Sequence, residues 1–112
     1  MKHIMHLKKK PFQSVKNGVK KYEFRLYDDK RKELSVGDDI EFISNGNLND
    51  ILVCKVKELY VADNFSQVYD FFSDDEYFES YSKDNFLQNM SIIYSQKEQE
   101  ESGVLVIEIV CN

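Results

Sequence analysis

The stretch Gly18-Val-Lys-Lys-Tyr-Glu-Phe-Arg25 begins with a glycine and ends in a short segment in which aromatic and charged residues alternate. Side chains alternate across a β-strand, so Tyr22 and Phe24 share one face, while Glu23 and Arg25 share the other. The first face is predicted to be core. The second is predicted to present an acid and a base side by side.

Lys20 is predicted to lie just outside this strand, on the turn after Gly18, where its side chain can reach Glu23. Arg25 can bind a phosphate or carboxylate through two parallel hydrogen bonds, and Lys20 supplies a mobile point charge. Glu23 either accepts a hydrogen bond from a ligand or orients the two basic groups. The alternative is a surface ladder in which Glu23 pairs with Lys21 or Arg25 and contributes under about 1 kcal/mol.

The pattern Gly18-x-Lys20-x-x-Glu23-x-Arg25 resembles the signature of ASCH domains, which belong to the PUA-like superfamily of small β-barrels associated with RNA. Flanking segments extend the resemblance over nearly the whole chain, in the expected order, and look like one compact bacterial branch of the family. These segments are His6-Leu-x-x-x-Pro11-Phe12, Tyr27-Asp28, Val36-Gly-Asp38-x-Ile40-x-Phe42, Tyr94 with Glu98, and Gly103-Val-Leu-Val-Ile107. The resemblance implies an α+β fold, a small PUA-like β-barrel with short peripheral helices, in a single domain spanning residues 1–112.

The remaining sequence predicts short strands that flank a helical middle region. Strands are predicted at Ile4–Leu7, Asp39–Ser44, Ile51–Tyr60 and Val104–Cys111, and helices after Pro11, over 65–72, over Lys83–Met90 and after Ser95. Asn64 with Gln67 is predicted to cap the second of these helices, and Ser95 with Glu98 is predicted to form a capping box at the start of the last. The last strand is apolar on both faces apart from Glu108, so it is predicted to be central or well covered. Short consecutive strands of this kind close readily into a barrel, which the last strand is expected to seal.

Length and composition predict an ordinary soluble domain with a modest core. The chain has 112 residues, of which 42% are hydrophobic and 31% charged. No apolar run approaches the roughly 20 residues of a membrane span. Lys8–Lys10 interrupt any signal-peptide core at the N-terminus. We therefore expect a cytoplasmic protein without a membrane segment.

The two cysteines, Cys54 and Cys111, both fall within apolar strand-like segments and lack the spacing of metal ligands. In a cytoplasmic protein such residues are usually reduced. We predict two reduced core thiols, no disulfide, no bound metal and no cofactor.

Charge is distributed unevenly along the chain. Residues 1–32 contain eleven Lys and Arg against three acids, and the remaining eighty contain four Lys against seventeen acids. A basic end on an acidic body suits an anionic ligand drawn to one face. It does not suit long duplex DNA, which requires a continuous basic stripe. The alternative is that Lys8–Lys10 and Lys30–Lys32 only solvate loops.

The first functional hypothesis is a binding domain for RNA or for a nucleotide or nucleoside. Lys20, Glu23 and Arg25 form its predicted ligand cleft beside the motif strand. The resemblance adds Tyr94, and His6 is a further polar group, equally consistent with a packed strand histidine.

The second hypothesis is a hydrolase, with Lys20 and Glu23 as its catalytic residues. Some ASCH proteins hydrolyse N4-acetylcytidine with a lysine, a threonine three residues later and a distant glutamate, and others are described as ribonucleases. Glu23 occupies the threonine position, and a carboxylate cannot replace that hydroxyl as nucleophile. Ribonuclease chemistry stays open, with Glu23 as general base on a 2′-hydroxyl. We favour binding over catalysis. A third possibility is that the acidic run 74–79 binds a protein partner.

Overall fold

The fold was analysed in a computed structural model that describes residues 1–79 and 81–111. Within this range, five β-strands, four α-helices and two short 3-10 helices follow one another along the chain. The elements are β1 (Lys2–Leu7), α1 (Lys9–Lys16), β2 (Tyr22–Leu26), a 3-10 helix (Arg31–Glu33), β3 (Asp39–Ser44), β4 (Ile51–Ala62), α2 (Phe65–Phe72), a 3-10 helix (Glu76–Phe78), α3 (Lys83–Ile93), α4 (Gln96–Ser102) and β5 (Val104–Cys111). None of these helices is long and apolar enough to cross a membrane.

The five strands form one sheet in the order β1-β3-β4-β5-β2. β1 runs parallel to β3 with Lys2 opposite Asp39, and β3 runs antiparallel to β4 with Asp39 opposite Lys55. β5 lies between β4 and β2, and its residues Val104–Ile107 are buried. The final strand is therefore an inner strand and well covered, as predicted.

The α+β class is confirmed, but the prediction of a closed barrel is wrong. The sheet is a five-stranded half-barrel with β1 and β2 at the two ends of the strand order. A barrel closes only when its first and last strands pair with the required stagger. β3 and β4 pair as neighbours in sequence, whereas β1 pairs with β3 and β2 lies beside β5 at the far end of the order. β5 is thus an inner strand and does not seal a barrel.

Two compact units make up the chain, and each has its own apolar core. The first unit comprises residues 1–23, 34–59 and 107–111, and the second comprises residues 24–33, 60–79 and 81–106. The core of the first unit is built from strand residues and from α1, with Phe12, Val15, Ile40, Phe42 and Val56 almost fully buried. The core of the second unit is aromatic, and its Phe24, Phe65, Phe78 and Phe86 rings pack edge to face.

The helices of the second unit begin where local sequence signals place them. The Asn64 side chain accepts a hydrogen bond from the Gln67 backbone N–H at 3.0 Å and caps α2. Ser95 and Glu98 form a reciprocal capping box at the start of α4. Both caps are confirmed predictions.

The prediction of reduced thiols is wrong, because Cys54 and Cys111 form a disulfide. β4 and β5 are neighbours in the sheet, and the two Cα atoms lie 4.2 Å apart. Further along the same pair of strands, Lys57 Nζ lies 3.4 Å from Glu108 Oε2, as expected for an antiparallel register. The separation of 57 residues along the chain does not indicate that the two cysteines face each other.

Asp38 ties the first strand to the turn before β3. Its Oδ2 atom accepts hydrogen bonds from His3 Nε2 at 2.8 Å and from the Ser35 backbone N–H at 3.0 Å. These two bonds, the His3 bond first, lower the pKa of Asp38 from 3.8 to about 2. Because its pKa is lowered on folding, ionised Asp38 stabilises the folded state above about pH 4, and this contribution is lost as the pH falls toward 2.

We predict that Asp38→Asn loses this pH-dependent stability. Between pH 4 and pH 2 the melting temperature of the variant should fall less steeply than that of the unmodified protein. Thermal unfolding followed by circular dichroism at several pH values measures the difference. Asp29→Asn is the control, because the Asp29 side chain is fully exposed. Parallel profiles for Asp38→Asn and the unmodified protein would contradict the prediction.

Candidate ligand-binding site

The connection between α1 and β2 has a fixed backbone. Gly18 has a positive φ of 75°, a conformation that glycine adopts without strain, and its N–H donates to the Val15 carbonyl. The N–H groups of Val19 and Lys20 both donate to the Ser14 carbonyl at 3.0 Å. Lys20 therefore leaves the helix at a defined position, just before the start of β2.

Lys20 and Glu23 form a largely buried ion pair. Lys20 Nζ lies 3.3 Å from Glu23 Oε1, and the two side chains are only 16% and 6% exposed. Burial removes water from both charges, so the attraction between them is stronger than in a surface pair, and the desolvation cost of each is higher. The surface ladder considered from the sequence does not describe this arrangement.

The burial of Glu23 differs from the surface-ladder alternative, which would leave the charged face of β2 exposed. Tyr22, Glu23 and Phe24 are all about 5% exposed, so this part of the strand is covered on both faces. Alternation along a strand determines which side chains share a face, but it does not determine what covers that face.

Lys21 lies between the paired residues and has a different environment. Its side chain is exposed, while its backbone carbonyl accepts a hydrogen bond from the Ile109 N–H of β5 at 3.0 Å. β5 thus supports the backbone directly beside the ion pair. Lys21 also provides a matched exposed lysine for mutagenesis.

The structure places the other predicted site residues as follows. His6 is exposed on β1, with Nδ1 3.2 Å from Asn45 Oδ1. Arg25 is half-buried on β2 in the second unit. Tyr94, also in the second unit, donates its hydroxyl to the Phe24 carbonyl at 3.1 Å. That His6, Arg25 and Tyr94 share a ligand site with Lys20 and Glu23 stays a prediction.

Five lysines of the first unit are exposed and take part in none of the ion pairs found in residues 1–79 and 81–111. They are Lys8, Lys9, Lys10, Lys16 and Lys21. By contrast, Lys2, Lys55 and Lys57 pair with acids on neighbouring strands. The five lysines therefore offer positive charge that their own chain does not neutralise locally.

Sequence reasoning missed Gln99, a buried polar residue of α4 that is only 7% exposed. Its Oε1 accepts a hydrogen bond from the Phe65 N–H at 3.5 Å, and its Nε2 donates to the Tyr94 carbonyl at 3.2 Å. The α4 sequence is polar throughout, so no hydrophobic pattern marks the buried position. Across the described part of the chain, no three His, Cys, Asp or Glu side chains gather in a way that could hold a metal ion.

Comparison with known proteins agrees with this architecture. Residues 5–110 match the ASCH domain family model, and the chain therefore belongs to the ASCH family. ASCH domains are generally proposed to bind RNA. No match was found among curated proteins.

Two solved structures are similar over essentially the full chain. The crystal structure of hypothetical protein PH0355 has a TM-score of 0.83 and 29% identity, with 100% of both chains covered. The solution NMR structure of protein PF0455 from Pyrococcus furiosus has a TM-score of 0.74 and 28% identity, with 99% of this chain and 97% of that chain covered. These relatives are archaeal, and the assignment to a bacterial branch stays a prediction.

We predict that Lys20→Ala lowers the free energy of unfolding by about 1–3 kcal/mol, because the Glu23 carboxylate stays buried after its lysine is removed. Lys21→Ala should change it by less than about 0.5 kcal/mol, since that side chain is exposed. Urea unfolding of both variants measures the two changes.

The double variant Lys20→Met, Glu23→Leu tests the same pair by replacing both charges at once. Replacing both charges with apolar groups removes the desolvation cost together with the attraction, so the double variant should be less destabilised than the two single variants combined. Simple additivity would show that Lys20 and Glu23 do not act as a pair.

Proposed function

We propose that this protein is a binding domain for RNA or a related nucleotide, and that the first unit holds the ligand at Lys20 and Glu23. The buried Lys20–Glu23 pair carries the proposal. An ion pair that contributed only to stability could be replaced by apolar residues of similar size at little cost, so retaining two desolvated charges is more readily explained by a ligand.

Lys20 retains the capacity to bind an anion. Its ammonium group has three N–H donors, and the contact with Glu23 uses one of them. The side chain is 16% exposed, so part of it reaches the surface. In this proposal Glu23 orients the ammonium group, and the remaining donors bind a phosphate oxygen or another acceptor of the ligand.

The exposed lysines strengthen the attraction to a nucleic acid. Lys8–Lys10, Lys16 and Lys21 belong to the same unit as the ion pair and have no described acidic partner. Exposed lysines without acidic partners draw polyanions and make binding dependent on salt. The remainder of the chain is strongly acidic, which favours a short single-stranded segment over a long duplex.

A second candidate function is ribonuclease-type hydrolysis, and the placement of a carboxylate beside a lysine favours it. Glu23 would accept the proton of a substrate hydroxyl, and Lys20 would stabilise the charge that develops on the phosphate. Hydrolysis of N4-acetylcytidine is disfavoured, because Glu23 replaces the nucleophilic threonine of that enzyme class.

Fluorescence anisotropy with a labelled single-stranded RNA tests the binding proposal at low and moderate salt. Lys20→Met should weaken binding at least about fivefold, because a hydrogen bond to a charged group contributes roughly 1.5–3 kcal/mol. Lys57→Met should have little effect, since Lys57 already pairs with Glu108 in the same unit. Equal affinities for the two variants and the unmodified protein would contradict the proposal.

A separate prediction concerns the contribution of the surface lysines to the salt dependence of RNA binding. The slope of log K against log salt should become shallower by about 0.7 for each of Lys8, Lys9 and Lys10 that contacts a phosphate and is changed to Met. An unchanged slope in the triple variant would exclude these three lysines from the RNA-binding surface.

The hydrolase alternative is tested with Glu23→Gln, which keeps the shape of the side chain and removes the base. If the protein cleaves RNA, this variant should lose turnover while retaining binding, as measured by mass analysis of the products. Cleavage retained in Glu23→Gln would exclude Glu23 as the base. RNA recovered intact from the unmodified protein would leave binding as the function.

A further inference from the structure

We propose that a second site, in the second unit, binds an uncharged heterocyclic base. The site is a cleft of about 520 Å³ between α2, α3 and α4, within the usual volume range of small-molecule sites. Four amide residues line it, Asn64, Gln88, Gln96 and Gln99, together with two serines and the apolar residues Phe65, Leu87 and Met90. Asn64 Oδ1 accepts a hydrogen bond from Gln67 N–H, and Gln96 Nε2 donates one to Glu100 Oε1. We call this the amide cleft.

The amide cleft is suited to a neutral ligand. Among the described residues, no charged side chain lines it, so a phosphate or carboxylate entering it would lose hydration without gaining a cation. A purely apolar ligand is also disfavoured, because it would cover the exposed Gln88 amide without replacing the hydrogen bonds of that amide to water. What fits is a ligand that both donates and accepts hydrogen bonds.

Gln99 defines the chemistry of the cleft wall. The residue is only 7% exposed, and hydrogen bonds to Phe65 N–H and to the Tyr94 carbonyl fix its amide orientation. A primary amide has two acceptor positions and two N–H donors, and these bonds use one of each. Among the described residues, the remaining acceptor position and the remaining N–H of this amide have no further partner, and Gln99 belongs to the cleft lining.

A nucleobase edge complements this pair of groups. Adenine and cytosine each carry an amino donor next to a ring-nitrogen acceptor, the arrangement that glutamine and asparagine amides recognise. Leu87 and Met90 supply apolar contacts for the flat faces of the ring, as in pockets that hold an unstacked base. That the ligand is a nucleobase, and not another neutral group with a donor and an acceptor, rests on the proposed function. That the ligand is neutral follows from the residues lining the cleft alone.

Isothermal titration calorimetry with free nucleosides tests this site without involving phosphate. Adenosine and cytidine should bind, and purine riboside, which lacks the amino donor, should bind at least about fivefold more weakly than adenosine. Gln99→Leu should weaken adenosine binding by a similar factor, with thermal unfolding used to show that the variant is folded. Gln88→Leu combined with Gln96→Leu should weaken binding even if Gln99→Leu does not fold.

Asn89→Leu is the matched control for the cleft variants. Asn89 is exposed on α3 between two cleft residues but does not line the cleft, so adenosine affinity should be unchanged. Lys57→Met should also leave it unchanged, because Lys57 belongs to the first unit and pairs with Glu108. An oligonucleotide whose binding is weakened by the cleft variants would show that the base can be part of RNA.

The remaining outcomes would show that the amide cleft is not a base-binding site. Nucleoside binding that is lost in Lys20→Met but retained in the cleft variants would move the base to the first unit and leave the proposed function intact. Binding of RNA with no detectable binding of free nucleosides would also reject the cleft while retaining the proposed function. If neither RNA nor nucleosides bind, both proposals fail.

Discussion

A buried carboxylate requires a partner, and the burial of Glu23 constrains the chain around it. Lys20 precedes the strand that carries Glu23, so the connection between α1 and β2 must keep Lys20 within reach of Glu23. α1 therefore ends before Gly18, and its last turn anchors the backbone of the residues that follow. The Ser14 carbonyl does this by accepting two hydrogen bonds, and Ile109 supports the backbone between the paired residues. The ion pair thus lies where the end of α1 meets β2, beside the inner strand β5.

The two units offer different chemistry to a ligand. The first unit has a desolvated lysine and exposed lysines, which suit an anion; the second has a cleft of amides and hydroxyls, which suits a neutral ring. RNA contains both chemical groups in every nucleotide. Membership of the ASCH family, whose domains are generally proposed to bind RNA, is consistent with both assignments.

Features that depend on local pattern were predictable from the sequence. The strand Val104–Cys111 and the Asn64 cap follow from apolar runs and short-range hydrogen bonding, and both were located correctly. Features that depend on distant packing were not predictable. Alternation could not show that Glu23 is covered, and spacing along the chain could not show that Cys54 faces Cys111 or that the sheet stays open.

The central claim is that an RNA-type ligand binds the first unit at the Lys20–Glu23 pair. The most direct test is an NMR titration of the isotopically labelled protein with a short single-stranded RNA, recording the amide resonance of each residue. The account predicts saturable shifts within residues 8–23, largest around Lys20 and Glu23. Saturable binding that leaves residues 8–23 unshifted would contradict it, because the ligand would then occupy another surface.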